Sequence, residues 1–264
     1  MTIHQCGNID KTIGVLNLMP NKIQTETQIL SLLESTKEDL KIKFIRLNTY
    51  QPKNINDNYL IENYHLFNDI KEELDGIIVT GAPVEQLSFE EVKYIDELRE
   101  IIDYSINNLK SSIFICWSAQ AALNHVYGIR KTNTPQKIFG VYSHQILDND
   151  DILNGLEIGF ESPHSRHTTL LKEDVSRCND IKVLCTTDCE KEHIIKGKFN
   201  DYYIFGHCEY DKESLKREYL RDVSLNRPID IPINYFRNND PDDEIIVKWD
   251  KASIRIYKNW IKAL

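Results

Sequence analysis

A cysteine at the end of a strand-like run is the first feature of this 264-residue chain that suggests chemistry. Residues 111–115, Ser-Ser-Ile-Phe-Ile, are typical of a buried strand, Cys116 follows directly, and residues 117–123 favour a helix. A strand that turns sharply into a helix at a nucleophile projects that side chain out of the sheet. The positive end of the helix dipole then favours the reactive thiolate. The alternative is a buried cysteine that only packs.

A histidine and a glutamate further along the chain would complete such a site. A strand-like run precedes residues 206–210, Gly-His-Cys-Glu-Tyr. If this segment is extended, His207 and Glu209 share one face and Cys208 points away as a structural residue. Cys116, His207 and Glu209 would then be nucleophile, base and orienting carboxylate. The alternative for His207 is a satisfied core histidine.

Alternating strand-like and helix-like segments predict the scaffold that positions these residues. In the first half, strands are predicted at 13–18, 41–47, 76–80 and 111–115, and helices at 25–35, through the 60s and at 89–107. In the second half, strands are predicted at 137–146, 181–186, 193–196 and 202–205, some antiparallel, and helices at 212–223 and 254–264. This order predicts an α/β fold, a mostly parallel sheet with helices on both faces and an additional small antiparallel portion. No repeat or long linker divides the chain, so we expect a single domain over residues 1–264.

Several strand ends fall where a ligand would bind in such a fold. Open α/β sheets bind ligands beyond the carboxyl ends of their strands. Cys116, Gly81 and residues 17–22 all follow predicted strands directly. We therefore expect them to share one cleft.

Composition and charge restrict the class of partner. The formal net charge of −9 argues against nucleic acid, whose phosphates require clustered Lys and Arg. Cys185 and Cys189 lack a second pair or a histidine cluster, so we expect no metal site. The N-terminus has no signal pattern, and no stretch approaches about 18 apolar residues. These features predict a cytoplasmic protein with no membrane partner.

Seven blocks of sequence then identify a resemblance. They are Asn17-Leu-Met-Pro-Asn-Lys22, Thr80-Gly-Ala-Pro-Val-Glu85, Cys116-Trp-Ser-Ala-Gln-Ala-Ala-Leu-Asn124, Gly140-Val-Tyr142, Pro163-His-Ser-Arg166, Gly206-His-Cys-Glu-Tyr-Asp211 and Glu218-Tyr-Leu-Arg-Asp222. With these blocks in this order, the chain resembles the homoserine O-acyltransferase family from about Ile13 to Pro241. That family comprises the acetyl- and succinyltransferases of methionine biosynthesis, whose fold is similar to class I glutamine amidotransferases.

The resemblance implies a two-step acyl transfer. Cys116 would attack an acyl-CoA thioester, and His207, oriented by Glu209, would deprotonate the acceptor hydroxyl. An oxyanion hole is expected from the backbone N–H groups of Trp117 and of the Gly81–Ala82 turn. Acetyl-CoA would be a co-substrate, and no permanently bound cofactor is expected.

Further residues match substrate-contacting positions of the family. Arg221 would hold the carboxylate of the amino-acid acceptor, and Lys137 and Ser165 match other substrate contacts. Lys22 and Arg166 are weaker site candidates. From spacing alone, each of these would be a surface residue.

Glu85 predicts the acyl donor. In the family, glycine at this position accompanies succinyl transfer and glutamate accompanies acetyl transfer. A carboxylate at Glu85 would repel the free carboxylate of a succinyl group, so we expect acetyl-CoA as the donor. Without the resemblance, an exposed glutamate at the start of the next helix fits equally well.

Two features of the chain leave the acceptor and the assembly open. Cys208 stands where the family usually has proline, and the family block after Pro241 is degraded to Trp249-Asp-Lys-Ala-Ser253. L-homoserine and L-serine differ by one methylene, worth about 1–3 kcal/mol in a pocket, so the expectation leans only slightly to homoserine. A homodimer is an open possibility.

Two other classes of protein compete with a transferase. A glutaminase or amidotransferase subunit would use the same residues, but such enzymes usually flank the cysteine with glycines, and here Ile115 and Trp117 flank it. A non-catalytic binding module would have an unreactive thiol.

Overall fold

One mixed β-sheet organises the molecule in the computed structural model, which describes residues 2–3, 11–51, 55–189 and 191–264. Its strands are β1 (Thr2–Ile3), β2 (Lys11–Leu16), β3 (Leu40–Arg46), β4 (His65–Leu66), β5 (Gly76–Val79), β6 (Ser111–Ile115), β7 (Lys131–Ile146), β8 (Glu161–Leu170), β9 (Ile181–Thr187), β10 (Glu192–Gly197) and β11 (Asp201–Ile204). Within the described residues they lie in the order β1-β3-β2-β5-β6-β11-β10-β9-β7-β8, with β4 beside β3.

The sheet has a parallel part and an antiparallel part. β3, β2, β5, β6 and β11 are mutually parallel. β10, β9, β7 and β8 continue the sheet with antiparallel pairing. The predicted α/β class is confirmed, including its antiparallel portion. The antiparallel strands bring residues from β7, β8 and β10 close to the ends of the parallel strands.

Helices cover both faces of the parallel part, as predicted. They are α1 (Lys22–Ser35), α2 (Asp57–Asn63), α3 (Phe67–Ile70), α4 (Ile95–Asn108), α5 (Trp117–Tyr127), α6 (Lys172–Arg177), α7 (Ser214–Ser224) and α8 (Asp250–Lys262). Ile113 and Ile115 of β6 pack in one apolar core with α1 and α8, while Phe114 packs in the other with α4 and α5. This alternation follows from the two-residue period of a strand that is buried on both faces.

A third apolar cluster fixes α7 beside the antiparallel strands. Leu215 of α7 packs there with Phe139 and Val141 of β7 and with Trp249. None of the helices in the described part of the chain is both long and apolar enough to cross a membrane.

Several elements differ from the sequence predictions. The helix predicted through the 60s is divided into α2 and α3 by the short strand β4, and α6 was not predicted. The single helix predicted at 89–107 is divided, because Ser88 and Glu91 cap a separate 3₁₀ turn over Phe89–Glu91 and α4 begins only at Ile95. Strand β8 was not predicted, because the alternating side chains that it buries include polar ones such as His164 and Arg166. Hydrophobic periodicity cannot detect a strand of that composition.

At Gly140, strand β7 passes very close to the backbone of Ile233. The φ of Gly140 is +142°, and an added Cβ would lie 2.5 Å from both the backbone N and O of Ile233. We expect Gly140→Ala to lower the free energy of unfolding by about 3 kcal/mol, because backbone must move and the conformation is strained. Urea denaturation measures this.

Gly128→Ala is the matched control for this prediction. Gly128 caps α5 at φ +70°, and nothing lies within 4 Å of its added Cβ. This substitution should therefore cost only the left-handed strain, about 1 kcal/mol. Equal losses for the two variants would contradict the steric account of Gly140.

Candidate active site

Cys116 occupies a sharp turn between β6 and α5. Its backbone has φ 52° and ψ −110°, values that are strained for a residue with a side chain. Its N–H donates to the carbonyl of Ile204 (2.7 Å), which fixes the turn against β11. The side chain stands at the N-terminus of α5, where the helix dipole favours negative charge on sulfur. The structure thus has the strand-to-helix turn that residues 111–123 predict.

His207 and Glu209 lie in a turn just after β11. His207 Nδ1 donates to Glu209 Oε1 (2.7 Å), so the carboxylate holds one ring nitrogen and Nε2 is left for other partners. The segment is not extended, since the N–H of Tyr210 donates back to the carbonyl of His207 (3.2 Å) and closes a turn. The turn still brings Glu209 beside His207, and Cys208 packs in the apolar core.

His207 is held in position from several sides. Its N–H donates to the carbonyl of Pro163 in β8 (2.7 Å). The ring of Tyr210 stacks on the imidazole, with centroids 4.1 Å apart and planes inclined by 13°. A catalytic imidazole supported in this way has little freedom to leave its productive orientation.

Cys116 and His207 meet at Gly81. A methyl group added there would lie 3.5 Å from Cys116 Cβ and 3.7 Å from His207 Cε1. The Cys116 sulfur and the His207 imidazole interact electrostatically across this glycine. Burial alone would lower the pKa of His207, but the Glu209 carboxylate and the Cys116 sulfur raise that pKa well above its ordinary value. These neighbours therefore favour the protonated form of the His207 imidazole.

A cavity of about 730 Å³ opens above this pair. Cys116 and His207 contribute to its lining, as do Ala82, Glu85, Lys137, Ser165 and Arg221. Segments from the ends of β2 and β5 also line it, so the cleft expected at the strand ends is present.

One wall of the cavity carries a polar cluster on α7 and the antiparallel strands. Glu218 accepts hydrogen bonds from Lys137 Nζ (2.7 Å) and Ser165 Oγ (2.8 Å). Arg221 Nε donates to Asp222 Oδ1 (2.8 Å), and Arg221 Nη2 lies 3.6 Å from Glu218. This part of the cavity wall thus carries both cations and carboxylates, and such a wall could bind the carboxylate and the ammonium group of an amino acid.

Glu218 belongs to one of the seven sequence blocks, but its residue type and position alone predict no role for it. The feature that could have indicated a role for Glu218 is its three-residue spacing to Arg221, which places both residues on one helix face. Its partners Lys137 and Ser165 come from distant strands, and sequence spacing does not show that they converge.

Glu85 is a fixed part of the cavity wall. Its Oε2 accepts a hydrogen bond from the backbone N–H of His167 (2.8 Å) and lies 3.1 Å from Thr168 Oγ1, whose one proton is shared with Gln120 Oε1 (2.9 Å). The backbone donor keeps this carboxylate at a defined place.

The two weaker candidates are buried, and their polar ends contact protein groups. Lys22 Nζ donates to the carbonyl of Asn17, and burial lowers the pKa of this lysine to about 8. Arg166 is fully buried and contacts His164 and two backbone carbonyls.

The expected oxyanion-hole residues lie on either side of Cys116. Trp117 is the first residue of α5, and the first N–H groups of a helix have no partner within it. Ala82 lines the cavity next to Gly81. The assignment of their N–H groups to an oxyanion stays a prediction.

Comparisons with known sequences agree on one family. The family described as homoserine O-succinyltransferase matches residues 8–264. The chain is 43% identical over 254 residues to the homoserine O-acetyltransferase of Clostridium tetani (strain Massachusetts / E88), covering 94% of this chain and 83% of the relative. It is 41% identical over 252 residues to that of Clostridium novyi (strain NT), with the same coverage.

Solved structures resemble the chain in fold. A glutamine amidotransferase from Thermotoga maritima matches with a TM-score of 0.64 at 9% identity, covering 97% of this chain and 98% of that one. A glutamine amido transferase from Methylobacillus flagellatus matches with a TM-score of 0.63 at 13% identity, covering 96% and 95%. At such low identities the likeness shows the fold alone, and it confirms the glutamine amidotransferase-like architecture.

Proposed function

Because the chain belongs to the homoserine O-succinyltransferase family and is an acyltransferase, we propose that it transfers acetyl from acetyl-CoA to the hydroxyl of L-homoserine. The observation that carries the proposal is the contact of Cys116, His207 and Glu209 at the base of a cavity whose wall holds Glu85. The product would serve methionine biosynthesis.

In the first step, the Cys116 thiolate attacks the thioester carbonyl of acetyl-CoA. The carbon–sulfur bond to CoA breaks, the imidazolium of His207 protonates the departing CoA sulfur, and acetyl remains on Cys116 as a new thioester. The N–H groups of Trp117 and Ala82 would stabilise the oxyanion.

In the second step, neutral His207 removes the proton of the acceptor hydroxyl. The alkoxide oxygen attacks the acetyl carbonyl, and the bond to the Cys116 sulfur breaks and restores the thiolate. Glu209 keeps the proton on Nδ1, so that Nε2 faces the substrate and the imidazolium is stabilised.

The polar cluster would orient the acceptor. Arg221 suits the α-carboxylate because its guanidinium can donate two parallel hydrogen bonds. Glu218 suits the α-ammonium group, and it would exchange its contacts with Lys137 and Ser165 for the substrate. These two charges fix the amino-acid end and direct the side-chain hydroxyl to the cysteine.

Glu85 would select the donor by repulsion. A succinyl group bound to Cys116 would place its free carboxylate near the Glu85 carboxylate. At about 5 Å and an effective dielectric near 20, the repulsion is about 3 kcal/mol. Acetyl has no such charge and would be accepted.

Glu85→Gly should therefore raise the kcat/KM ratio of succinyl-CoA to acetyl-CoA about a hundredfold. Glu85→Gln is the matched variant, because it keeps the size of the side chain and its ability to accept from His167 but removes the charge. If charge dominates, the Gln variant gives most of the change, and if volume dominates, it gives little. An unchanged ratio in both variants would remove Glu85 from donor selection.

The proposed function is tested by comparing acceptors with the purified chain. Free CoA released from acetyl-CoA is measured with a thiol reagent in the presence of L-homoserine or L-serine. We expect the larger kcat/KM with L-homoserine, since this ratio measures discrimination between competing substrates. A larger value with L-serine would make the chain a serine O-acetyltransferase. Release of CoA with neither acceptor above the buffer rate would refute the proposal.

A further inference from the structure

A fully buried group of basic side chains lies next to the turn that contains His207. His144 of β7, His164 and Arg166 of β8, and His193 of β10 each have 0% of their surface exposed. The rings of His144 and His193 lie 3.9 Å apart, and His164 lies 5.2 Å from each. A Cβ added at Gly206, beside His207, would lie 2.5 Å from His193 Cε1. We call these four residues the basic cluster.

Hydrogen bonds in the basic cluster fix the protonation of two histidines. Arg166 can only donate, so His164 Nδ1 (3.1 Å) must accept, and the His164 proton is therefore on Nε2. His164 Nε2 then donates to His144 Nε2 (2.9 Å), and His144 Nδ1 donates to the carbonyl of Phe160 (3.1 Å). The chain of donors runs in one direction from Arg166 and leaves both imidazoles neutral. Burial agrees with this, lowering the pKa of His144 to about 3.

The same proton arrangement argues against a metal ion in the basic cluster. One nitrogen of each histidine lies within 4.8 Å of the others, a spacing that would suit a metal. Coordination through His164 Nε2 would move its proton to Nδ1, where it would oppose the Arg166 donor. A divalent cation would also add its charge to a buried guanidinium. Burial also holds the pKa of His193 well below its ordinary value, so the single positive charge of the basic cluster is that of Arg166.

Arg166 has neutral hydrogen-bond partners in the part of the chain that the structure describes. Besides His164, its guanidinium donates to the carbonyls of Phe205 (3.2 Å) and Glu192 (3.2 Å). A buried charge without a carboxylate in contact is unfavourable unless an anion lies nearby. The structure thus keeps a cation in its interior, and that cation needs a counter-charge.

Cys116 and Arg166 donate hydrogen bonds to two consecutive backbone carbonyls at the end of β11. The backbone N–H of Cys116 donates to the carbonyl of Ile204, and Arg166 donates to the carbonyl of the next residue, Phe205. Two residues further on, His207 contacts Cys116. One short segment therefore connects the buried cation, the nucleophile and the base.

We propose that Arg166 is a positioning residue whose buried positive charge stabilises the Cys116 thiolate, and that His164 and His144 hold its guanidinium in place. This inference rests on the proposed role of Cys116 as the nucleophile. Its test requires neither acyl donor nor acceptor, so it can fail while the proposed function stands.

The charged groups around Arg166 support this assignment. Burial lowers the pKa of Arg166, and the nearby Cys116 sulfur and the carboxylates of Glu192 and Glu85 oppose this. The titratable groups facing the two residues are Glu85 after β5, Tyr142 and His144 on β7, His164 on β8, Glu192 and His193 on β10, and His207, Glu209 and Tyr210 after β11.

The test is the pH dependence of Cys116 alkylation by iodoacetamide, quantified on the Cys116 peptide by mass spectrometry. Arg166→Gln should slow alkylation about tenfold near pH 6 and less than about twofold near pH 9, because high pH restores the thiolate without the cation. Arg166→Lys keeps the charge and should retain the wild-type profile. Exposed Cys189 in the same molecule reports the intrinsic reactivity of the reagent at each pH.

A structural role alone predicts a different pattern and would overturn the proposal. If Arg166 only fixes the backbone, Arg166→Gln slows alkylation by the same factor at both pH values, or leaves it unchanged. If Arg166→Gln does not fold, His164→Leu and His164→Asn take its place. The Asn side chain offers an oxygen to accept from Arg166 and should retain the wild-type profile, whereas Leu should reproduce the loss near pH 6. Identical profiles for these two variants would contradict the proposal.

Discussion

Cys116→Ala should lower kcat/KM for acetyl transfer at least about ten-thousandfold, because in the proposed mechanism the acetyl group passes through this sulfur. The variant should fold, since removing one sulfur atom at the rim of the core is a small change. Steady-state rates with acetyl-CoA and acceptor, with circular dichroism of the same samples, measure both properties.

Cys208→Ala is the matched control for that substitution. Cys208 is also buried and stands next to His207, but it packs in the apolar core and faces Ser162 and Ser253. Its loss should lower the free energy of unfolding by about 1 kcal/mol and leave the rate within about threefold. A Cys116→Ala protein that kept more than a few per cent of the rate would show that transfer does not pass through this sulfur.

His207→Asn should lower kcat/KM about a thousandfold, because both proposed steps move a proton through this imidazole. Asn retains a polar side chain in the buried turn but cannot act as a base. The loss should persist across the pH range, since no titration of the remaining groups restores the base. A rate near that of the wild type at any pH would exclude His207 from the chemistry.

Glu209→Gln gives a graded comparison at the same site. The Glu209 carboxylate is the largest contribution that raises the pKa of His207 against the effect of burial. Its neutralisation should lower that pKa and reduce the rate about a hundredfold, less than loss of the histidine itself. An NMR titration of the His207 ring measures the pKa. An unchanged pKa would show that Glu209 does not stabilise the imidazolium.

The sequence predicted the scaffold where local signals were strong. The apolar run of residues 111–115 and the helix-forming segment after Cys116 specify the turn without tertiary information, and the structure has it. The alternation of strands and helices likewise predicted the parallel part of the sheet. Local sequence sufficed because strands buried on both faces are rich in apolar residues throughout, while the helices that cover them are amphipathic.

Other parts depend on contacts that sequence spacing does not show. Strand β8 was not predicted because its interior carries His164 and Arg166, which hydrogen-bond to the neighbouring strands and to the end of β11. The turn at His207–Glu209 was read as extended, because only the fold shows the hydrogen bond from Tyr210. The basic cluster combines residues of β7, β8 and β10 and becomes visible only when those strands pair.

The most direct measurement is the intact mass of the protein after brief exposure to acetyl-CoA without acceptor. The mechanism predicts a mass increase of one acetyl group, located on Cys116 by peptide analysis, absent in Cys116→Ala and removed when L-homoserine is added. Turnover of acetyl-CoA and acceptor with no acetyl on Cys116 at any time, even after rapid acid quenching, would contradict the covalent mechanism.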